Sequence, residues 1–174
     1  FLGVLLDRHG GRMKYLHLIK LLYMAERESF KRYGRPIIGD EYVSMRHGPV
    51  LSITYNLIKE EKAGQDFWLK HIRQLPRSHE VELVKDPGRG ALSEAEVEIL
   101  EEIFKRYGRT NQWAVRDLTH KFPEWKNPGN SCLKIRPEDI LRALKKSEDE
   151  IRQVSQEAAE RAHFDKLFGE CASR

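Results

Sequence analysis

Residues 20–58 read KLLYMAERESFKRYGRPIIGDEYVSMRHGPVLSITYNLI, and their reading decides the fold. The first part closes a helix that the spacing predicts over 13–33. Leu18, Leu22 and Ala25 lie on one stripe with Ile19, Tyr23 and Phe30 beside it, so a broad apolar face points inward. Gly34 supplies a left-handed C-cap and Pro36 blocks continuation. Gly39-Asp40 marks a turn, and Tyr42 to Arg46 reads as a short strand. Pro49 then suits the first turn of a second helix, which runs to about Lys62 and ends at Gly64. Folding energetics do not demand a cationic pair, a glycine and a proline side by side. The Arg46-His47-Gly48-Pro49 corner is therefore the first place to look for function.

Working outward, residues 1–9 form a short helix ended by Gly10-Gly11. Segments 67–74 and 80–85 have strand character and are joined through Pro76 to His79, which predicts a hairpin. Ser93 with Glu96 makes a capping box for a helix carrying Val97, Leu100, Ile103, Phe104 and Tyr107. A helix over about 112–121 follows, then a loop from Pro123 to Asn130. Pro137 opens another helix, and Ser147 with Glu150 caps the last. Phe30 to Arg35 recurs as Phe104 to Arg109, one helix-stopping solution used twice, with glycine at positive φ each time. The expected fold is mainly α. A single helical domain over 1–174 has its core at 12–145 and a helical extension at 147–174. A small antiparallel sheet is built from the strand near 42–46 and the hairpin at 67–85.

The chain has 174 residues, 40% hydrophobic and 33% charged, enough to bury a core without staples. No apolar run is long enough to span a membrane. The opening apolar segment is broken by Asp7 and Arg8 and lacks a cleavage site, so it does not read as a signal peptide, although Phe1 leaves room for a longer N-terminus. Cys132 and Cys171 have no metal-ligand spacing, which suits reduced thiols in a cytoplasm. The net charge of +4 is the small remainder of 31 basic and 27 acidic residues, too little to argue for nucleic acid.

Three constellations deserve weighing. His47 at the corner, with Asp117 and His120 three apart on one helix face, admits a base relay or a metal site. It equally admits a hydrogen-bonded Asp117–His120 pair that fixes the following loop. Without a nucleophile elbow, a ligand cluster or a phosphate loop, the structural alternative is preferred, with no catalytic residue, metal or cofactor expected. Lys31, Arg32, Arg35, Arg46 and His47 could hold phosphates, meet an acidic protein, or be solvated. Trp68, Trp113, Trp125, Tyr55 and Phe122 are of the type that anchors protein interfaces.

The motifs Lys20 to Arg27, Tyr33-Gly34-Arg35-Pro36, Gly39-Asp40-Glu41-Tyr42 and His47-Gly48-Pro49 together resemble the hallmark segments of the Panacea domain, the SocA-like antitoxin family. Leu92 to Glu96, Tyr107-Gly108, and Asp117-Leu118-Thr119-His120 followed by Trp125 resemble its later blocks in the same order. The resemblance covers roughly 12–145. It implies a non-enzymatic antitoxin of a bacterial or phage toxin–antitoxin system. Such a protein binds its cognate toxin directly and covers the toxin's active site or substrate-binding basic patch. Partnered toxins in the family include small alarmone-synthetase-like enzymes. One branch delivers its toxin to a Clp-type protease, and some members carry a nucleic-acid-binding module, though binding of nucleic acid is not expected here. The toxin and the oligomeric state (homo-oligomer or heterotetramer with the toxin) stay open. Expected partner-binding residues are Tyr42, Arg46, His47, Tyr55 and Trp125. Gly34, Gly39, Asp40, Gly48, Pro49, Asp117, Thr119 and His120 are expected to set the architecture.

Overall fold

The computed structural model describes residues 2–59, 66–88 and 90–169. In chain order the elements are α1 (Leu2–Arg8), β1 (Arg12–Lys14), α2 (Tyr15–Tyr33), β2 (Tyr42–Met45), β3 (Gly48–Leu51) and α3 (Ser52–Ile58). They continue with α4 (Asp66–His71), β4 (Ile72–Leu75), β5 (Glu80–Leu83), α5 (Glu94–Tyr107) and α6 (Gln112–Thr119). The chain closes with β6 (Leu133–Ile135), α7 (Pro137–Ala143) and α8 (Glu148–Gly169). The architecture is mainly α with a minor antiparallel β component, as the periodicity predicts.

Helix α2 is the axis of the molecule. Every residue from His17 to Glu26 is buried, so the helix is enclosed rather than half-exposed. Helices α5, α6 and α7 and strand β3 pack around it. Its stop is as expected: Gly34 sits at φ 67° and its N–H returns to the Phe30 carbonyl at 3.0 Å. The second copy of that stop differs. Gly108 keeps a right-handed φ of −61°. A glycine is needed there for space, because a Cβ would come within 2.4 Å of the Phe104 ring. The Ser93–Glu96 capping box forms, and Ser147 with Glu150 caps α8.

Strand pairing departs from expectation in three ways. There are two three-stranded sheets, ordered β1-β5-β4 and β3-β2-β6, rather than one joining segments 42–46 and 67–85. Strands β1 and β6 supply the added edges; at three residues each they are too short to register as a sequence period. Residues 66–71 are helical, with Trp68 on α4, so the second hairpin spans only 72–83. Pro49 lies in a strand, not in a helix: β2 pairs with β3 through Ser44↔Pro49 and Met45↔Gly48, and α3 begins at Ser52. β3 is an edge strand with one neighbour, the position in which a residue without an N–H is tolerated. The predicted continuation of α3 to Lys62 and Gly64 lies outside the described residues, as does Cys171. Cys132 is exposed and free. No helix among the described residues is long and apolar enough to cross a membrane.

Candidate functional site

Two buried side chains of α2, Glu26 and Lys20, hold the 34–54 segment onto that helix, and buried Asp40 ties the segment to itself. Glu26 accepts from the N–H groups of Ile37 (3.2 Å) and Ile38 (2.9 Å) and from the Tyr42 hydroxyl (2.8 Å). Burial raises its pKa, and those three donors oppose the rise. Asp40 accepts from the N–H groups of Ile53 (2.8 Å) and Thr54 (2.9 Å) and from the Thr54 hydroxyl (2.7 Å). It thereby caps α3, whose own N-cap residue, Leu51, has no side chain that could. Lys20 is wholly buried and donates to the Pro49 carbonyl at 2.6 Å. No carboxylate pairs with it among the described residues, and burial holds its pKa well below the usual lysine range.

These anchors set the hairpin. The two residues at its tip, Arg46 and His47, are exposed, and the left-handed step falls on Gly48 at φ 96°. Gly48 also sits where nothing larger fits. A Cβ there would lie 2.7 Å from Thr119 Oγ1, 3.1 Å from His120 Cδ2 and 3.1 Å from Lys20 Nζ. Thr119 is itself pinned, its hydroxyl donating to the Arg116 carbonyl at 2.7 Å.

The other side of the hairpin is closed by residues 119–126. The His120 ring lies flat on Trp125, centroids 4.1 Å apart and 5° between planes. Burial, then Lys20, depresses the His120 pKa, and its Nε2 is buried without a partner among the described residues. Trp125 Nε1 donates to the Met45 carbonyl at 3.1 Å, and the Lys126 N–H donates to Ser44 Oγ at 3.2 Å. Glu124, buried, accepts from Tyr23 (3.2 Å) and Arg27 (2.8 Å), which fastens this loop to α2.

Several expected roles change. Tyr42 is 2% exposed and spends its hydroxyl on Glu26, so it has no surface to offer a partner. Trp125 is half-buried between His120 and Met45, a wedge under the hairpin. Asp117 does not bond His120. It is exposed and accepts from Arg116 Nε (2.8 Å) and Nη2 (2.6 Å). Gly34, Gly39, Asp40, Gly48, Pro49, Thr119 and His120 lie at turns, caps and packing contacts, though Pro49 acts from a strand. Gly39 takes φ 68° in the turn before Asp40.

Arg46, His47 and Tyr55 share the rim of a cavity of about 400 Å³ with Lys20, His79 and Trp113. Trp113 is 46% exposed, with the Arg116 guanidinium 4.9 Å over its ring and the His47 ring edge-on at 6.3 Å. Trp113, an interface-type aromatic in the sequence, joins this site, and Lys20, Glu26 and Glu124, which no local pattern marks as site residues, are buried around it. A lysine inside His17-Leu18-Ile19-Lys20-Leu21-Leu22 was the available signal, hidden because α2 was expected to keep a solvated face.

No curated protein and no solved structure gives a significant match to this chain. A family model does, described as the SocA-like antitoxin, Panacea domain, and it covers residues 18–126. That span takes in α2 from Leu18 onward, the hairpin, α6 and the loop to Lys126. The chain belongs to the SocA-like antitoxin family, with its Panacea domain over most of its length.

Proposed function

We propose that the protein neutralises a cognate protein toxin by binding it directly, in the bacterial cytoplasm, and that occupancy of the toxin's surface is what silences it. Membership of an antitoxin family carries the reading. The geometry of the hairpin supports it. A deep polar network fixes a tip on which Arg46 and His47 are exposed beside a half-exposed Trp113, and arginine and tryptophan are residue types that anchor protein interfaces. The histidines also argue for contact over chemistry. Asp117, which would orient an imidazole base, is turned to Arg116, and His120 is stacked under Trp125 with its Nε2 enclosed.

The test is the open reading frame beside this one. Expressed alone it should arrest growth, and co-expression of this chain should restore it, with the two proteins co-purifying. A harmless neighbour, or one that kills regardless, overturns the reading. Arg46→Ala should weaken the complex with little change in melting temperature, since the side chain is exposed at a hairpin tip; collapse of the fold would reassign it to structure.

A further inference from the structure

The cavity under the hairpin is lined by side chains of basic type. Basic side chains reach it from three separate elements: Lys20 from α2, Arg46 and His47 from the tip, and His79 from the turn between β4 and β5. No aspartate or glutamate lines it among the described residues. Most arginines near a carboxylate in this structure use it, as Arg32 does with Glu102 and Arg116 with Asp117. Arg46 has no carboxylate partner among the described residues. Tyr15, Tyr55 and Trp113 make the walls largely apolar, and charges meeting between apolar walls attract more strongly than in open water. The volume, about 400 Å³, is at the lower end of the range for ligand pockets and suits an inserted side chain with its flanking backbone.

We propose that this cavity seats an acidic side chain of a partner protein, a Glu or Asp on a projecting segment that enters between Tyr55 and Trp113 and meets Arg46 and His47. The proposal rests on the toxin-binding reading for the partner's identity. It also changes that reading in one respect: the toxin surface being covered is acidic at this point, not the basic substrate-binding patch.

Two experiments test it. The first uses the free protein and follows the indole N–H of Trp113 by NMR. Acetyl-tetraglutamate amide should shift that signal saturably, acetyl-tetraglutamine amide should not, and the double variant Arg46→Glu/His47→Glu should lose the response. No shift with the acidic peptide, or tighter binding of a ten-nucleotide oligothymidylate at the same site, overturns the proposal; the latter would make the pocket a phosphate site.

The second uses the toxin identified by growth rescue. The double variant should bind it at least tenfold more weakly at 50 mM NaCl and with a flatter salt dependence. Arg106→Glu, a charge reversal on an exposed face of α5, should stay within twofold, and both variants should keep the wild-type unfolding midpoint. Wild-type affinity in the folded double variant sinks the pocket while leaving the antitoxin reading intact. A harmless neighbour together with a Trp113 response to the acidic peptide does the reverse.

Discussion

Gly48→Ala tests whether the hairpin is positioned by close approach or merely by its turn. Two costs are expected. Alanine at φ 96° would occupy a backbone region that L-residues avoid, at about 1–2 kcal/mol. Its Cβ would also press on Thr119 Oγ1 at 2.7 Å and on His120 Cδ2 and Lys20 Nζ at 3.1 Å. Thr119 cannot rotate away without losing its bond to the Arg116 carbonyl, nor can Lys20 Nζ move without losing the Pro49 carbonyl. Overpacking of this kind costs about 1–3 kcal/mol. The sum is about 2–5 kcal/mol, or a fall in melting temperature of roughly 5–15 °C for a chain of this size.

Gly129 provides the control, since it holds φ 64° with nothing within 4 Å of its Cβ position. Gly129→Ala should therefore show only the conformational cost, about 1–2 kcal/mol. Urea denaturation of both variants at pH 7 gives the difference directly from the midpoints, provided the slopes agree. If the two variants lose the same stability within about 0.5 kcal/mol, the contact with Thr119 and His120 is not what fixes the hairpin. The reasoning about Gly48 then fails.

Three more outcomes follow from the buried polar groups. Burial lowers the folded pKa of Lys20, so between that value and the unfolded one near 10.4 the unfolded chain holds more protons and stability rises with pH. Lys20→Met should remove this rise, which approaches about 1.4 kcal/mol per pH unit inside the window; parallel urea-unfolding curves from pH 6 to 9.5 would contradict it. Trp125→Phe keeps a ring on His120 but leaves the Met45 carbonyl without its donor, a loss of about 0.5–1.5 kcal/mol by denaturation, against about 3–5 for Trp125→Ala. Tyr42→Phe takes one of three donors from the buried Glu26 and should cost about 1–3 kcal/mol without changing toxin affinity in the folded variant; a drop in affinity there would restore Tyr42 to the contact surface.

How much of this was legible in the sequence depends on the range of the interaction. Gly34, the Ser93–Glu96 box and the Ser147 cap are local: each satisfies backbone groups within a few residues, so the pattern shows in the string. The hairpin at Arg46-His47 was half legible. Its strand and its glycine show in the string, but Pro49 carries the same local signal as a proline that opens a helix. The deciding fact, that β3 is an edge strand paired only with β2, is topological. Glu26 and Lys20 were illegible for the same reason. They look like the solvated side of an amphipathic helix until α5, α6 and β3 are seen to cover that side. The Asp117–His120 pair fails in the opposite direction. Asp117 and His120 do share a helix face, yet the stronger local partner, Arg116, takes the carboxylate.

That division bears on what the family motifs are for. Lys20, Glu26, Asp40, Tyr42, Gly48 and Pro49 all lie in the motif blocks, and all are buried, Lys20 bonding Pro49, Glu26 bonding Tyr42 and nearby backbone, and Asp40 bonding the start of α3. A buried polar group without its partner costs more than the bond contributes when made, so such a network tolerates few changes and holds one geometry. Arg46 and His47 stand outside the network, on its exposed apex. Surface substitutions of that kind usually change stability by no more than about 0.5 kcal/mol. The Lys20–Ile58 stretch therefore separates two tasks along one short segment. Its interior positions dictate where the tip stands, and its tip, with Trp113 and the cavity beneath, is left free to dictate what it meets.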